Sequence, residues 1–335
     1  MLLLGVDIMS EELIKLIRER SENEIISQYI CDSINYFKTR NQQYGEKLCD
    51  SIKLLLEEKA LLFKISDDGS HFYKDNQLTC VYIGRKSITR KDFTTFIHEI
   101  THAIHILLYE MMIPTEYEET RKRITSDAEF SDKMHILFRY IIESKKKFIE
   151  LIKRISATHY SGFSKYNNVA SIVSNNNNIT NKISNINNII DIIDDADIDF
   201  SKIISTSRRL NQQFESLIDD IGYGYSAVEQ QFHVLSSIEG LLDSLLLGQL
   251  YEGYSSDNCY LRGFGHTKNY FMQDFENSYV ELLAEYSVLV AYNDAELLEK
   301  IKEILGEEMY NILDSSLNSM FVDNSIDDKS VSHKC

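Results

Sequence analysis

The chain has 335 residues, of which 43% are hydrophobic and 26% charged, the profile of an ordinary soluble globular protein with room for a large core in one or two domains. A net charge of −17 argues against nucleic acid and against anionic membranes as partners, since both need a basic surface. No apolar run approaches the roughly 18 residues of a membrane span.

The N-terminal Met1–Val6 is apolar but lacks a basic flank and meets Asp7 at once, so it does not read as a signal peptide. Five cysteines, at 31, 49, 80, 259 and 335, are odd in number and contain no C-x-x-C. That pattern points to free thiols, a reducing compartment and a cytoplasmic protein; delivery without a cleaved signal would leave the same trace.

In chain order, residues 10–38 and 42–63 predict two amphipathic helices. Leu62–Ile65, Phe72-Tyr73 and Cys80–Gly84 predict three short strands separated by turns, the first turn at Asp67-Asp68-Gly69. Thr89 to Asp92 reads as a capping box opening a helix from about Arg90 to Met112, with Pro114 beyond its end. Phe96, Ile100, Ala103, Ile104, Leu107 and Met111 share one side of that helix, and His98 and His102 leave from the other.

That helix carries His98-Glu99-Ile100-Thr101-His102, a match to H-E-x-x-H. Residues four apart lie on one face, so both imidazoles can reach a single Zn²⁺. Glu99 falls beside that face, where it can take a proton from a water on the metal. The Cys80 strand just upstream would offer its edge to an extended peptide. His105 shares the histidine face, but seven residues span about 10.5 Å of helix, too far for one ion with bonds of about 2 Å. It is therefore expected to pack or support. The metzincin signature fails, because His105 stands at its glycine and Leu108 at its last histidine.

Residues 116–156 predict more helix. Residues 161–199 are rich in Asn, Ile and Ser and predict a loop, although isoleucines at 183, 186, 189, 190 and 193 could line a helix. Helix returns at about 201–219 and 226–250, with Gly222–Tyr225 as a hinge between them. The stretch Asn277–Tyr286 predicts a further helix in which Glu281 and Glu285 share a face. A catalytic zinc takes three protein ligands and one open position. Glu281 is the leading third ligand, with Glu276 and Glu285 as rivals. Glu285 could instead hold a zinc-bound histidine by its free ring N–H. Ser278–Glu281 also reads as a capping box, which would make Glu281 a helix-start residue.

His98-Glu99-Ile100-Thr101-His102-Ala103, followed by Glu281-Leu282-Leu283-Ala284-Glu285, resembles the gluzincin peptidases of the anthrax lethal factor type. Their pattern is H-E-x-x-H-A, then E-x-x-A-E on a second helix. Gly263–Phe271 is similar to a G-H-x-x-x-Y-[YF] segment in proteins of low-GC bacteria and their phages. The shared motifs cover roughly 78–112 and 236–292. The resemblance implies an α+β, predominantly helical protein with a zincin-like core, a small sheet with two ligand-bearing helices. Within it, His98, His102 and Glu281 would hold one zinc and Glu99 would be the catalytic base. Tyr270 or His266 would be the oxyanion donor, with Tyr279 as second choice of tyrosine. In two respects the chain departs from the family: the interval from His102 to Glu281 is far longer, and Asp274 stands where the toxin family has a tyrosine.

The expected organisation is N-terminal helices over 1–60 and a first core half over 61–115. A helical insertion follows over 116–222, then a second core half with a C-terminal tail over 223–335. The expected activity is zinc-dependent cleavage of a peptide or protein substrate. A degenerate zincin serving as a binding or virion-associated protein is the alternative. No oligomeric state is specified.

Overall fold

Three helices lead the chain in the computed structural model: α1 (Glu11–Arg20), α2 (Glu24–Arg40) and α3 (Gln42–Glu58). The structure describes residues 9–110, 112–157, 226–248, 270–271 and 276–321, with isolated positions at 181, 184, 185 and 213. Two helices were expected here. The first divides because the Asn23 carboxamide accepts from the backbone N–H groups of Ile25 and Ile26, at 3.0 and 3.2 Å, and caps a new helix. Asn41 caps α3 in the same way through the N–H of Tyr44.

Strands β1 (Leu62–Ser66), β2 (His71–Lys74) and β3 (Thr79–Gly84) form a mixed sheet in the order β1-β3-β2. β1 runs parallel to β3, and β2 antiparallel to it. This corrects the expectation for the Cys80 strand: β3 is central, so neither of its edges is open to a peptide. The reason lies in the turn, where Asp75 Oδ1 accepts from the N–H groups of Gln77 and Leu78 and folds β2 onto β3. The outer edge of β1 is covered in part, since Glu22 N–H donates to Phe63 O and Ile65 N–H to the Glu22 carboxylate, both at 2.9 Å. The outer edge of β2 has no strand partner among the described residues.

A short helix, α4 (Arg85–Arg90), precedes the H-E-x-x-H helix α5 (Phe93–Leu108). Thr89 is therefore not the cap of α5; its hydroxyl donates to Arg85 O inside α4. The chain turns at Lys91 with φ 51° and restarts with Asp92 as the residue before α5. At the other end α5 stops before the expected Met112, because Glu110 takes a left-handed conformation with φ 52°.

The remaining helices with bounds among the described residues are α6 (Tyr117–Thr125), α7 (Phe130–Ala157), α8 (Ser226–Leu245), α9 (Glu276–Tyr292) and α10 (Ala295–Met320), the last kinked at Gly306. The described residues are predominantly helical with one small sheet. Of the expected insertion, α6 and the start of α7 pack against α8 and α10. Arg121 donates to Leu245 O, Thr120 and Arg123 bond Glu308, and Lys145 pairs with Glu239 in full burial. The Asn-rich stretch, the 201–219 helix and the Gly222–Tyr225 hinge lie outside the described residues, isolated positions aside.

Helix α5 is the hub. It packs against α2, α3, β2, β3, α8, α9 and α10. Phe96, Ile97, Ile100, Ala103 and Ile104 are fully buried. Each of the larger side chains contributes about 1.5–3 kcal/mol by leaving water. Helix α9 is apolar nearly all round, as suits a helix with no solvent face. No helix among the described residues is long and apolar enough to cross a membrane.

Candidate metal centre

The two central helices, α5 and α9, meet at a polar cluster. His98 and His102 stand one turn apart on α5, and their Nε2 atoms are 3.0 Å from each other. Glu281 comes from α9. Its Oε2 lies 3.2 Å from His98 Nε2 and 3.6 Å from His102 Nε2. His98, His102 and Glu281 are thus a group able to hold a metal ion. Ligands about 2.0–2.2 Å from a tetrahedral ion stand roughly 3.3–3.5 Å apart, and the three observed separations bracket that range. Two imidazoles and one carboxylate are also a donor set suited to zinc.

Sequence and packing explain why Glu281 is here. Helix α9 begins at Glu276, so Ser278 is not its cap and Glu281 is not a helix-start residue. Ser278 instead donates to Ser244 O and shares a hydrogen bond with Tyr117, both at 2.7 Å. Further along, the hydroxyls of Thr101 and Ser287 meet at 2.6 Å in the core and tie α5 to α9. Helices α5 and α9 are therefore locked in register beside the candidate metal group. Glu281 is only 5% exposed.

The carboxylates around the group have separate jobs. Glu285, one turn beyond Glu281, places Oε1 3.5 Å from His98 Nδ1 and so faces the ring nitrogen that is turned away from the group. Glu276 opens α9 and is no member of the ligand group. Tyr270 donates to Glu281 Oε1 at 3.1 Å, which restrains the rotation of that carboxylate. Tyr279 is fully buried, its ring edge-on to those of Tyr117 and His105. His105 Nε2 lies 3.3 Å from Met112 O, so this residue supports the chain that leaves α5 and stands apart from the ligand group. His266 lies outside the described residues.

Electrostatics favour a cation at this point. Burial alone would lower the His98 pKa, but the Glu285 and Glu281 carboxylates outweigh it and hold the ring well above its ordinary value. Negative charge that retains a proton there can retain a divalent cation in its place. Glu99, beside the histidines, is 7% exposed. Burial raises its pKa, the Glu281 charge adds to the rise, and His98 and His102 oppose it.

The start of α5 is fixed by Asp92, which the sequence places at the far end of a capping box, and by Gln230 and His233, which it does not signal. Asp92 accepts from the hydroxyls of Thr94 and Thr95, at 2.6 and 2.9 Å, and faces His233 at 3.5 Å. Gln230 on α8 clamps the same turn, accepting from Phe93 N–H and donating to Lys91 O. Nothing near Gln230 in sequence signals that contact. Comparison with protein-family models, with curated proteins and with solved structures returns no match for this chain.

Proposed function

We propose that this protein is a zinc-dependent endopeptidase with a zincin-like core of the gluzincin type. The observation that carries the reading is the convergence of His98, His102 and Glu281 within 3.0–3.6 Å, with Glu99 buried alongside. Each half of the cluster is a short motif that chance could supply. A chance H-E-x-x-H has no reason to meet a carboxylate from a distant helix at ligand spacing.

Bound zinc would polarise a scissile carbonyl and acidify a water molecule. The chain's own residues supply the rest. Glu99 accepts the proton of the attacking water and delivers it to the leaving amine, a task suited to a carboxylate whose pKa burial raises. Tyr270 holds the Glu281 carboxylate, and its hydroxyl is the donor assigned to developing negative charge in this reading. Glu285 orients His98. The substrate is a peptide or protein, and among the described residues the outer edge of β2 is a strand edge open to receive it in extended form.

Metal analysis of the purified protein, with a peptide-library assay run with and without chelator, tests the proposal. One zinc per chain and chelator-sensitive cleavage are expected. A protein that takes up no zinc, or cleaves equally well in excess chelator, overturns it.

A further inference from the structure

Helix α8 passes α9 so closely that one position has no room for a side chain. A Cβ added at Gly240 would lie 2.4 Å from Glu285 Oε1, 2.9 Å from its Cδ and 3.3 Å from its Cγ. The crowded atom is the same oxygen that stands 3.5 Å from His98 Nδ1. Gly240 is fixed mid-helix between Glu239, which pairs with Lys145, and the buried Leu241 and Leu242. It is an expensive residue there, since glycine weakens a helix interior relative to alanine. Its backbone needs no left-handed conformation, as it is absent from the positive-φ glycines. What glycine provides is space, and Glu285 fills that space.

We infer that Gly240 is a positioning residue for the metal centre: its missing side chain holds open the niche from which the Glu285 carboxylate orients His98. The inference rests on the zinc reading above. A methyl group at 240 would push against the far end of a flexible side chain, so Glu285 would swing away while the helices stay packed. His98 would then lose the partner that fixes its ring. Loss of such a partner weakens a metal site by about 10- to 100-fold.

The test uses the full chain and zinc itself, with affinity read by competition against a chromophoric chelator and thermal unfolding read on the metal-free protein. Gly240→Ala should keep or raise the thermal midpoint while zinc binding falls about 10- to 100-fold. The visible bands of the cobalt-loaded protein should change with it. In a Glu285→Ala background the same substitution should have no further effect on zinc affinity, because the carboxylate it displaces is gone. Equal zinc binding by Gly240→Ala and the parent overturns the inference, and so does an equal further loss in the Glu285→Ala background. Should Gly240→Ala fail to fold, Glu285→Ala must restore folding; absence of rescue likewise overturns it. A parent protein that binds no zinc removes the metal reading first, an outcome distinct from all of these.

Discussion

Tyr270 donates a 3.1 Å hydrogen bond to Oε1 of Glu281, while Oε2 of the same carboxylate faces both histidine rings. The ligand carboxylate is thus held at both ends. Tyr270→Phe removes one restraint without changing ring volume. Zinc affinity should fall by about tenfold, at the lower end of the range for loss of a ligand's supporting hydrogen bond. Chelator competition reads this directly. Unchanged affinity would mean that the Tyr270 hydroxyl does not hold Glu281 in place.

Glu99→Gln separates metal binding from chemistry. Glu99 is in none of the close contacts among His98, His102 and Glu281, so the variant should retain its zinc. The amide cannot accept a proton, and peptide cleavage should drop by about 10²–10⁴-fold, the usual contribution of a positioned acid–base group. Parallel metal content and cleavage rates provide the check. Full activity in Glu99→Gln would remove Glu99 as the base.

Local pattern made the centre of the site legible. The helical face carrying His98 and His102 follows from spacing, and Glu281 and Glu285 share a face by the same rule. Boundaries were less legible. Thr89 resembled a cap because a capping box is only four residues long; α4 and the left-handed Lys91 intervene, so the cap position falls to Asp92. The Cys80 strand looked like an edge because sheet order depends on partners elsewhere in the chain, and β1 and β2 flank it. Gln230 and Gly240 had no signal at all. Their roles exist only because α8 lies against α5 and α9.

The buried pair of Lys145 on α7 and Glu239 on α8 makes a stability prediction away from the metal. Both side chains are fully buried, with Nζ and Oε1 3.1 Å apart. Lys145→Met leaves the Glu239 carboxylate without its ammonium partner in a dry setting. The expected cost is about 3–5 kcal/mol, measured by denaturant unfolding. Lys145→Met combined with Glu239→Leu should recover most of the loss, since two apolar groups replace two charges. A single-variant cost below about 1 kcal/mol would show that solvent reaches the pair.

Acid stability of the metal-free protein should carry the mark of two buried histidines. Burial lowers the pKa of His105, and it lowers that of His233 despite the opposing charge of Asp92. For each, the unfolded chain binds a proton more readily than the folded one at mildly acidic pH. Their contribution is therefore complete above the unfolded value of about 6.5 and is lost as pH falls through the lower folded value. His98 works in the opposite direction. Its folded pKa is raised, so its contribution is present at low pH and is lost as pH rises through that raised value. In excess chelator, unfolding free energy should thus decline as pH falls below about 6.5, through His105 and His233, and also as pH rises above about 6.5, through His98. His105→Gln keeps a polar group near Met112 O but cannot take up a proton, and it should flatten the acid decline. A pH profile of His105→Gln parallel to that of the parent would show that His105 is protonated as easily folded as unfolded.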